Sequence, residues 1–146
     1  MRNLLLLLCI SLAVLTGCKQ EADNGAKEML KKAQTAYDEG RYDEALTTIK
    51  QLRHDHPQAV EERKAALALF QEASLKQAQQ ELAQTDSLLE AAKKRYETLM
   101  KQMKSNPYSK QLEHELTEAR CIQDSLRVQW NTQGAKIRAI KLKIER

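Results

Sequence analysis

The sequence predicts an all-α fold, in which a helical hairpin packs on the start of a long helix that continues into an antiparallel two-helix coiled coil. Helix breakers are rare, with four glycines and two prolines among 146 residues. Aromatic residues are also few, one Phe, one Trp and four Tyr, which indicates a thin core where helices meet along seams. A heptad repeat in the second half predicts the coiled coil.

The chain begins with a segment typical of secretory signals. Arg2 precedes an apolar run from Leu4 to Leu15, which is shorter than the roughly 20 residues that span a bilayer as a helix. The run ends in Leu15-Thr16-Gly17-Cys18. This motif resembles the lipobox of bacterial lipoproteins. The resemblance implies cleavage between Gly17 and Cys18, removal of residues 1–17, and diacylglycerol on the Cys18 thiol, with an N-acyl chain as a further modification. An ordinary signal peptide followed by a chance cysteine is the alternative.

Lipidation of Cys18 would hold the protein on a membrane, because two or more acyl chains anchor firmly where one does not. Lys19 stands where Asp often directs such lipoproteins to the inner membrane. The resemblance therefore implies the outer membrane, facing either the periplasm or the cell surface. The charged residues 19–23 also resemble export signals of envelope lipoproteins of the Bacteroidota type. Residues 18–25 lack periodicity and are predicted to form a lipidated tether.

Residues 26–57 resemble a single tetratricopeptide repeat (TPR), a helix–turn–helix of 34 residues. Gly40 falls at the turn, where it permits the left-handed backbone that ends a helix. Ala33 and Ala45 occupy the small positions at which the two helices approach closely, and Pro57 ends the unit. A plain αα-hairpin is the alternative and has the same fold. Because one repeat cannot bury its own apolar face, the next helix should cover it with Ala66, Leu69, Phe70 and Ala73.

Residues 58–104 contain neither Gly nor Pro and are predicted to form one long helix. Its apolar seam follows a heptad pattern made by Leu75, Ala78, Leu82, Thr85, Leu89, Ala92, Tyr96, Leu99 and Met103. Residues 105–109 are a turn, in which Asn106 is predicted to cap a helix that has Pro107 as its first residue.

The return helix, residues 110–146, continues the heptad with Leu112, Leu116, Ala119, Gln123, Leu126, Trp130, Gln133, Ile137, Ile140 and Ile144. The short turn makes the two helices antiparallel. Placing the turn at Pro107 pairs Leu99 with Leu116, Leu89 with Leu126, and Thr85 with Trp130, so that large residues often face small ones. Gly134 keeps the register and is predicted to be a weak point within one continuous helix.

Four positions in the sequence are candidate sites, and each also has a simpler interpretation. Tyr108, at the tip of the hairpin, is either a contact for a partner or packed against its own loop. Cys121 lies away from the seam, where it could form an intermolecular disulfide, be covered by a partner, or have no role. Trp130 is predicted to be a core residue of the seam. The run His54-Asp55-His56 is predicted to be a polar helix end, since zinc would need a further ligand.

The charge pattern and the motifs limit the possible functions. The net charge is +4 with both signs interspersed, which does not indicate a nucleic-acid partner. No phosphate-binding loop, metalloprotease helix or nucleophile motif occurs. We therefore expect a non-catalytic envelope lipoprotein, without a metal or a cofactor other than its lipid, that serves as a scaffold for an unidentified protein partner. The alternative is a structural spacer or a self-associating coiled-coil rod, including a homodimer. The least favoured hypothesis is an enzyme, or a carrier of a metal or another ligand.

Overall fold

The computed structural model describes residues 24–145, and these residues form four helices and no strand. The predicted all-α class is therefore confirmed. Helix α1 covers residues 24–38, α2 Tyr42–Asp55, α3 Val60–Ser105 and α4 Lys110–Ile144. The chain divides into two compact units, which meet in sequence between Ser74 and Leu75 within α3. We call the described part of the first unit the base and that of the second the arm.

The segment before the base is only partly described. The predicted signal segment, the lipobox and Cys18 all lie outside the described residues. Asn24 and Gly25, which the sequence places in the tether, already belong to α1. Gly25 lies against the end of α2, because a Cβ atom at this position would be 2.8 Å from Cε1 of His56. Within residues 24–145, no helix combines the length and apolar character needed to cross a membrane.

Gly40 ends α1 in the left-handed conformation that the sequence predicts, with φ of 76°. The backbone N–H of Gly40 donates to the carbonyl of Tyr37 at 2.9 Å, and that of Arg41 donates to the carbonyl of Ala36 at 2.8 Å. These two bonds are the pair that defines a Schellman motif, which satisfies the last carbonyls of a helix. The motif reverses the chain and starts α2 directly afterwards.

The base has a three-helix core made from α1, α2 and the start of α3. One cluster of buried residues joins Ala33 of α1, Ile49 and Leu52 of α2, and Ala66 and Leu69 of α3. A second cluster contains Ala36, Ala45, Leu46 and Ala73. Phe70 is partly buried and packs against both clusters. The hairpin is thus covered by the four residues of α3 predicted for that task.

The turn between α3 and α4 differs in detail from the sequence prediction. The side chain of Ser109, and not that of Asn106, caps α4, since its Oγ accepts a hydrogen bond from the backbone N–H of Leu112 at 3.3 Å. The backbone N–H of Ser109 donates to the carbonyl of Asn106, also at 3.3 Å, which closes a turn over residues 106–109. Pro107 lies inside this turn, so α4 begins only at Lys110.

The seam of the arm follows the predicted heptads. All nine predicted seam residues of α3 are buried or half-buried, as are eight of the ten on α4. A hydrogen-bonded ion pair joins Nζ of Lys136 to Oε2 of Glu81 at 3.0 Å across the two helices. This contact places the second half of α4 beside the part of α3 that the predicted antiparallel register assigns to it.

The prediction that Trp130 is a core residue is wrong, because 39% of its surface is exposed. Trp130 instead lines a groove together with Leu82 and Ile137. Its predicted seam partner, Thr85, is buried. Two helices enclose a seam on only two sides, so a large side chain such as an indole ring keeps part of its surface in contact with solvent. Ile144, at the last turn of α4, is exposed as well.

Candidate functional site

A groove on the base lies between α1 and the start of α3 and has a volume of about 520 Å³. Leu30 from α1 and Leu69 from α3 give it an apolar floor, to which the exposed Ala65 contributes a methyl group. Both leucines also belong to the packing of the base core. The floor of the groove is therefore held in place by the same contacts that fold the base. We call this feature the base groove.

The rims of the base groove carry opposite charges. Lys27 and Lys31 line it from α1, whereas Glu61 and Glu62 line it from the first turn of α3. Glu61 pairs with Lys64 at 3.0 Å, and both side chains are exposed. An exposed pair of this kind contributes little to stability, about 0–1 kcal/mol, and is easily exchanged for another partner. An apolar floor between charged rims suits an amphipathic helix or a peptide with an apolar side chain.

The sequence predicts the helices on both sides of the base groove but not the groove itself. Ala66 and Leu69 are predicted to cover the hairpin, and both do so. The additional signal is Leu30, which lies three residues before Ala33 and so shares its helix face. Small Ala65 beside Ala66 then leaves a depression next to Leu30. Recognising it requires the spacing between α1 and α3, which periodicity does not provide.

Tyr108 lies in the turn between α3 and α4 with 95% of its surface exposed. Of the two alternatives that the sequence leaves open, packing against its own loop is therefore excluded. The turn around it is held by the Ser109 cap and by the bond between Ser109 and Asn106. A large, wholly exposed aromatic side chain on an ordered turn can supply contact area to a partner at a low entropic cost.

Cys121 is a free, exposed thiol on α4, as its position in the heptad predicts. Next to it, Ile122 helps to form a second groove, of about 250 Å³, between the two helices of the arm. Leu88 lines the α3 side of this groove, and both side chains are exposed. We call this feature the arm groove. Leu88 and Ile122 are thus open to solvent in a single copy of the chain, whereas Ala119 in the same groove is buried.

His54 and His56 do not act together in the structure. Nδ1 of the exposed His54 lies 2.7 Å from Oδ1 of Asp55. His56 is half-buried, with its ring beside Gly25. Within residues 24–145, no group of three or more His, Cys, Asp or Glu side chains is arranged to hold a metal ion.

The pKa shifts in the structure arise from contacts that support the helices. Burial, followed by the nearby charge and hydrogen bond of Glu72, raises the pKa of Tyr37. Hydrogen bonds to Glu39 and then to Glu44 raise the pKa of Arg41, at the turn between α1 and α2. The hydrogen bond from Lys93 lowers the pKa of Glu90, one turn earlier on α3. None of these three groups lines the base groove or the arm groove.

Comparison of the chain with family models, curated proteins and solved structures finds no match.

Proposed function

We propose that this protein is a membrane-anchored envelope lipoprotein that serves as a scaffold for protein–protein interaction or assembly and does not catalyse a reaction. The base groove is the observation that carries this proposal. It combines an apolar floor with charged rims on helices whose positions are fixed by a packed core. A groove that is already formed binds at a lower entropic cost than one that must be ordered by its ligand.

The anchor in this proposal is the lipid on Cys18, directed to the outer membrane because Lys19 follows it. The resemblance of residues 26–57 to a TPR supports the scaffold role, since envelope lipoproteins that carry such repeats often act as scaffolds or assembly factors. The partner proposed for the base groove is an amphipathic helix or an extended peptide. Its apolar residue would lie over Leu30 and Leu69, and its charged residues would meet Lys31 and Glu61.

Site-specific photocrosslinking in intact cells tests where the partner binds. A photoreactive residue replaces Lys31 in the base groove or Tyr108 at the tip of the arm; exposed Thr47 on α2 is the control. We expect a discrete crosslinked product from Lys31 that is absent from Thr47. A product from Tyr108 alone would move the binding site to the tip. If neither position gives a product beyond that of Thr47, the scaffold proposal is wrong.

Filling the base groove provides a second test. Ala65→Arg places a long side chain over the floor, whereas Ala68→Arg makes the same change at an exposed position of α3 outside the groove. Because both alanines are exposed and Arg is a good helix former, both variants should fold. The crosslinked product should be lost in the first variant and retained in the second. Equal yields from the two variants would exclude the base groove as the binding site.

Metabolic labelling with a palmitate analogue tests the anchor separately. The full-length chain should incorporate the label, Cys18→Ala should not, and Cys121→Ala should remain labelled. Comparison of the two variants distinguishes lipidation of the lipobox cysteine from acylation of the exposed thiol of Cys121. Label that persists in Cys18→Ala would contradict the proposed anchor without affecting the groove.

The second candidate function is a structural spacer or self-associating rod. It is favoured by the exposure of Leu88 and Ile122 in the arm groove, which a single copy of the chain leaves in contact with water. Exposed apolar patches on ordered helices are often covered by another protein surface. Sedimentation of the full-length chain in detergent measures whether the protein is a monomer or a larger assembly.

A further inference from the structure

The outer face of α4 carries a second repeat, made of uncharged residues, that the seam does not use. Seven exposed residues recur at alternating spacings of four and three, as in a coiled-coil seam. None of them is charged, and Val128 and Leu142 are 64% and 58% exposed. We call this set the outer stripe; its members are Cys121, Ser125, Val128, Thr132, Ala135, Ala139 and Leu142. Ile122 extends the stripe towards the arm groove, because residues three apart are neighbours on a helix.

The outermost heptad position on α3 differs in character from the one on α4, which is occupied by Cys121, Val128, Ala135 and Leu142. The outermost positions there are Gln80, Ser87, Lys94 and Lys101, all exposed. Such a face is well solvated and needs no cover. Between Cys121 and Leu142 the outer face of α4 carries no charge, whereas Glu118 at the preceding position of the repeat is charged and exposed. A helix with uncharged, partly apolar residues on a second face can pack against a neighbour there as well.

The charges beside the outer stripe are separated along α4. Glu115 and Asp124 lie towards its beginning, whereas Arg138 and Lys143 lie towards its end. Asp124 and Arg138 flank one edge of the stripe, and Glu115 and Lys143 flank the other. Asp124 pairs with Arg127 at 3.1 Å, and both side chains are largely exposed. An exposed pair of this kind is weak and can share its carboxylate with a second cation.

We propose that a second copy of this chain packs on the outer stripe, with the two α4 helices antiparallel about a twofold axis near Thr132. In this orientation Asp124 of each copy faces Arg138 of the other, which gives two pairs of opposite charge. A parallel arrangement would instead bring Arg138 of each copy towards Lys136 and Lys143 of the other. The small residues of the stripe allow the helices to approach closely, and Val128 packs near the axis.

This inference deepens the second candidate function by naming the partner and the surface, and it does not depend on the base groove. A C2 contact of this kind is self-complementary, which is the commonest form of association between identical chains. The stripe is about 32 Å long at 1.5 Å per residue. The arms of two copies would form a layer of four helices, with the two α4 helices in the middle.

Crosslinking between cysteines tests the orientation. Full-length chains carrying Cys121→Ser with Thr132→Cys are treated in detergent with a short bis-maleimide, and Cys121→Ser alone controls for the remaining cysteines. The Thr132→Cys chain should give a crosslinked dimer because the two thiols lie near the axis. The unaltered chain should not crosslink through Cys121, since the two Cys121 residues would be about 30 Å apart at 1.5 Å per residue. Crosslinking through Cys121 as readily as through Thr132→Cys would indicate a parallel contact and overturn the proposal. The absence of a crosslinked dimer from the Thr132→Cys chain would also overturn it.

Sedimentation of a matched pair of variants tests the surface. Val128→Asp introduces a charge at the centre of the outer stripe, and Ser87→Asp introduces the same charge on the outer face of α3. Both positions are exposed, so the helical circular dichroism signal should be unchanged. We expect Val128→Asp to weaken dimerisation by about tenfold or more and Ser87→Asp to leave it within about twofold, since a charge buried at an interface is costly. If Val128→Asp and Ser87→Asp changed dimerisation equally, or if the unaltered chain were a monomer, the outer stripe would be excluded as the dimer contact. Neither result bears on the proposal for the base groove.

Discussion

The base and the arm use the same kind of helix and bury their residues to different degrees. In the base, fully buried residues come from all three helices, and they include the large side chains Ile49 and Leu52. In the arm, the buried leucines Leu89 and Leu99 each keep a small accessible fraction, and most other seam residues are half-buried. A third helix closes the core of the base, whereas a two-helix seam remains open along its edges.

A third packed helix buries more apolar surface, which stabilises the base, whereas two helices leave more apolar surface exposed for contact with a partner. Stabilisation by burial scales with the apolar area removed from water, so each large core residue of the base should contribute more than a seam residue of the arm. The arm retains apolar surface in the arm groove and along the outer stripe. We expect the base to determine global stability and the arm to be more sensitive to partners.

Truncating one core residue in each unit should have the largest effect. Ile49→Ala removes a fully buried side chain and should reduce the free energy of unfolding of the base by about 4 kcal/mol. Leu99→Ala should cost the arm less, about 2 kcal/mol, because the open seam can close partly around the gap. Urea titration followed by circular dichroism measures both. The exposed Leu88→Ala is the control, and equal losses at Ile49 and Leu99 would remove the distinction between the two units.

Two glycines should respond to the same substitution with opposite signs. Gly40→Ala forces a Cβ into the left-handed region and should destabilise the base by about 1–2 kcal/mol. Gly134→Ala lies within α4, where the nearest atom to the new Cβ is Nη1 of Arg138 at an ordinary 3.8 Å. It should stabilise the arm by about 1 kcal/mol through helix propensity. Thermal unfolding of both variants tests this, and a loss of stability at Gly134 would contradict it.

Ser109→Ala should have a smaller effect, confined to the turn of the arm. Removing the Oγ leaves the backbone N–H of Leu112 without its cap and should cost about 1 kcal/mol. Amide hydrogen exchange at the first turn of α4 should increase, while exchange in α2 should not change. Asn106→Ala provides the control, because the sequence alone predicts it to be the capping residue. A greater increase in exchange for Asn106→Ala than for Ser109→Ala would reverse the assignment of the cap.

The parts of the fold that could be predicted from sequence are those set by local rules. Gly40 marks the turn because only a left-handed residue closes that motif. The heptads identify which residues of α3 and α4 meet, and the ion pair between Lys136 and Glu81 agrees with the register chosen from the short turn. The outward position of Cys121 follows from the same heptads.

The parts that could not be predicted depend on how much room the neighbours leave. Trp130 has a seam position, but its exposure is decided by the width of a two-helix seam. The capping of α4 by Ser109 depends on the path of the chain around Pro107, and Asn106 satisfies the same sequence rule equally well. The base groove arises from the distance between two helices that are not consecutive in the chain. The pattern of residues along the sequence does not give the distances between helices on which these features depend.

The last prediction concerns the dependence of stability on pH, which should distinguish the base from the arm. Tyr37 is partly buried in the base core, and its pKa is raised above the ordinary 10.0, first by burial and then by Glu72. A raised pKa in the folded state means that folding favours the neutral phenol. The resulting stabilisation is fully present below pH 10.0 and is lost as the pH rises through the pKa of the folded state. A phenylalanine at this position cannot ionise, so the unfolding free energy of Tyr37→Phe should fall less steeply than that of the unaltered chain as the pH rises above 10.0.

Other ionisable groups are present in both proteins. The quantity to compare is therefore the difference in unfolding free energy between Tyr37→Phe and the unaltered chain at each pH. A Tyr108→Phe variant is the matched control, because the side chain of Tyr108 is 95% exposed. Urea titrations at several pH values should give parallel curves for this control and the unaltered chain. A Tyr37→Phe curve that is also parallel would mean that folding does not favour the neutral phenol of Tyr37.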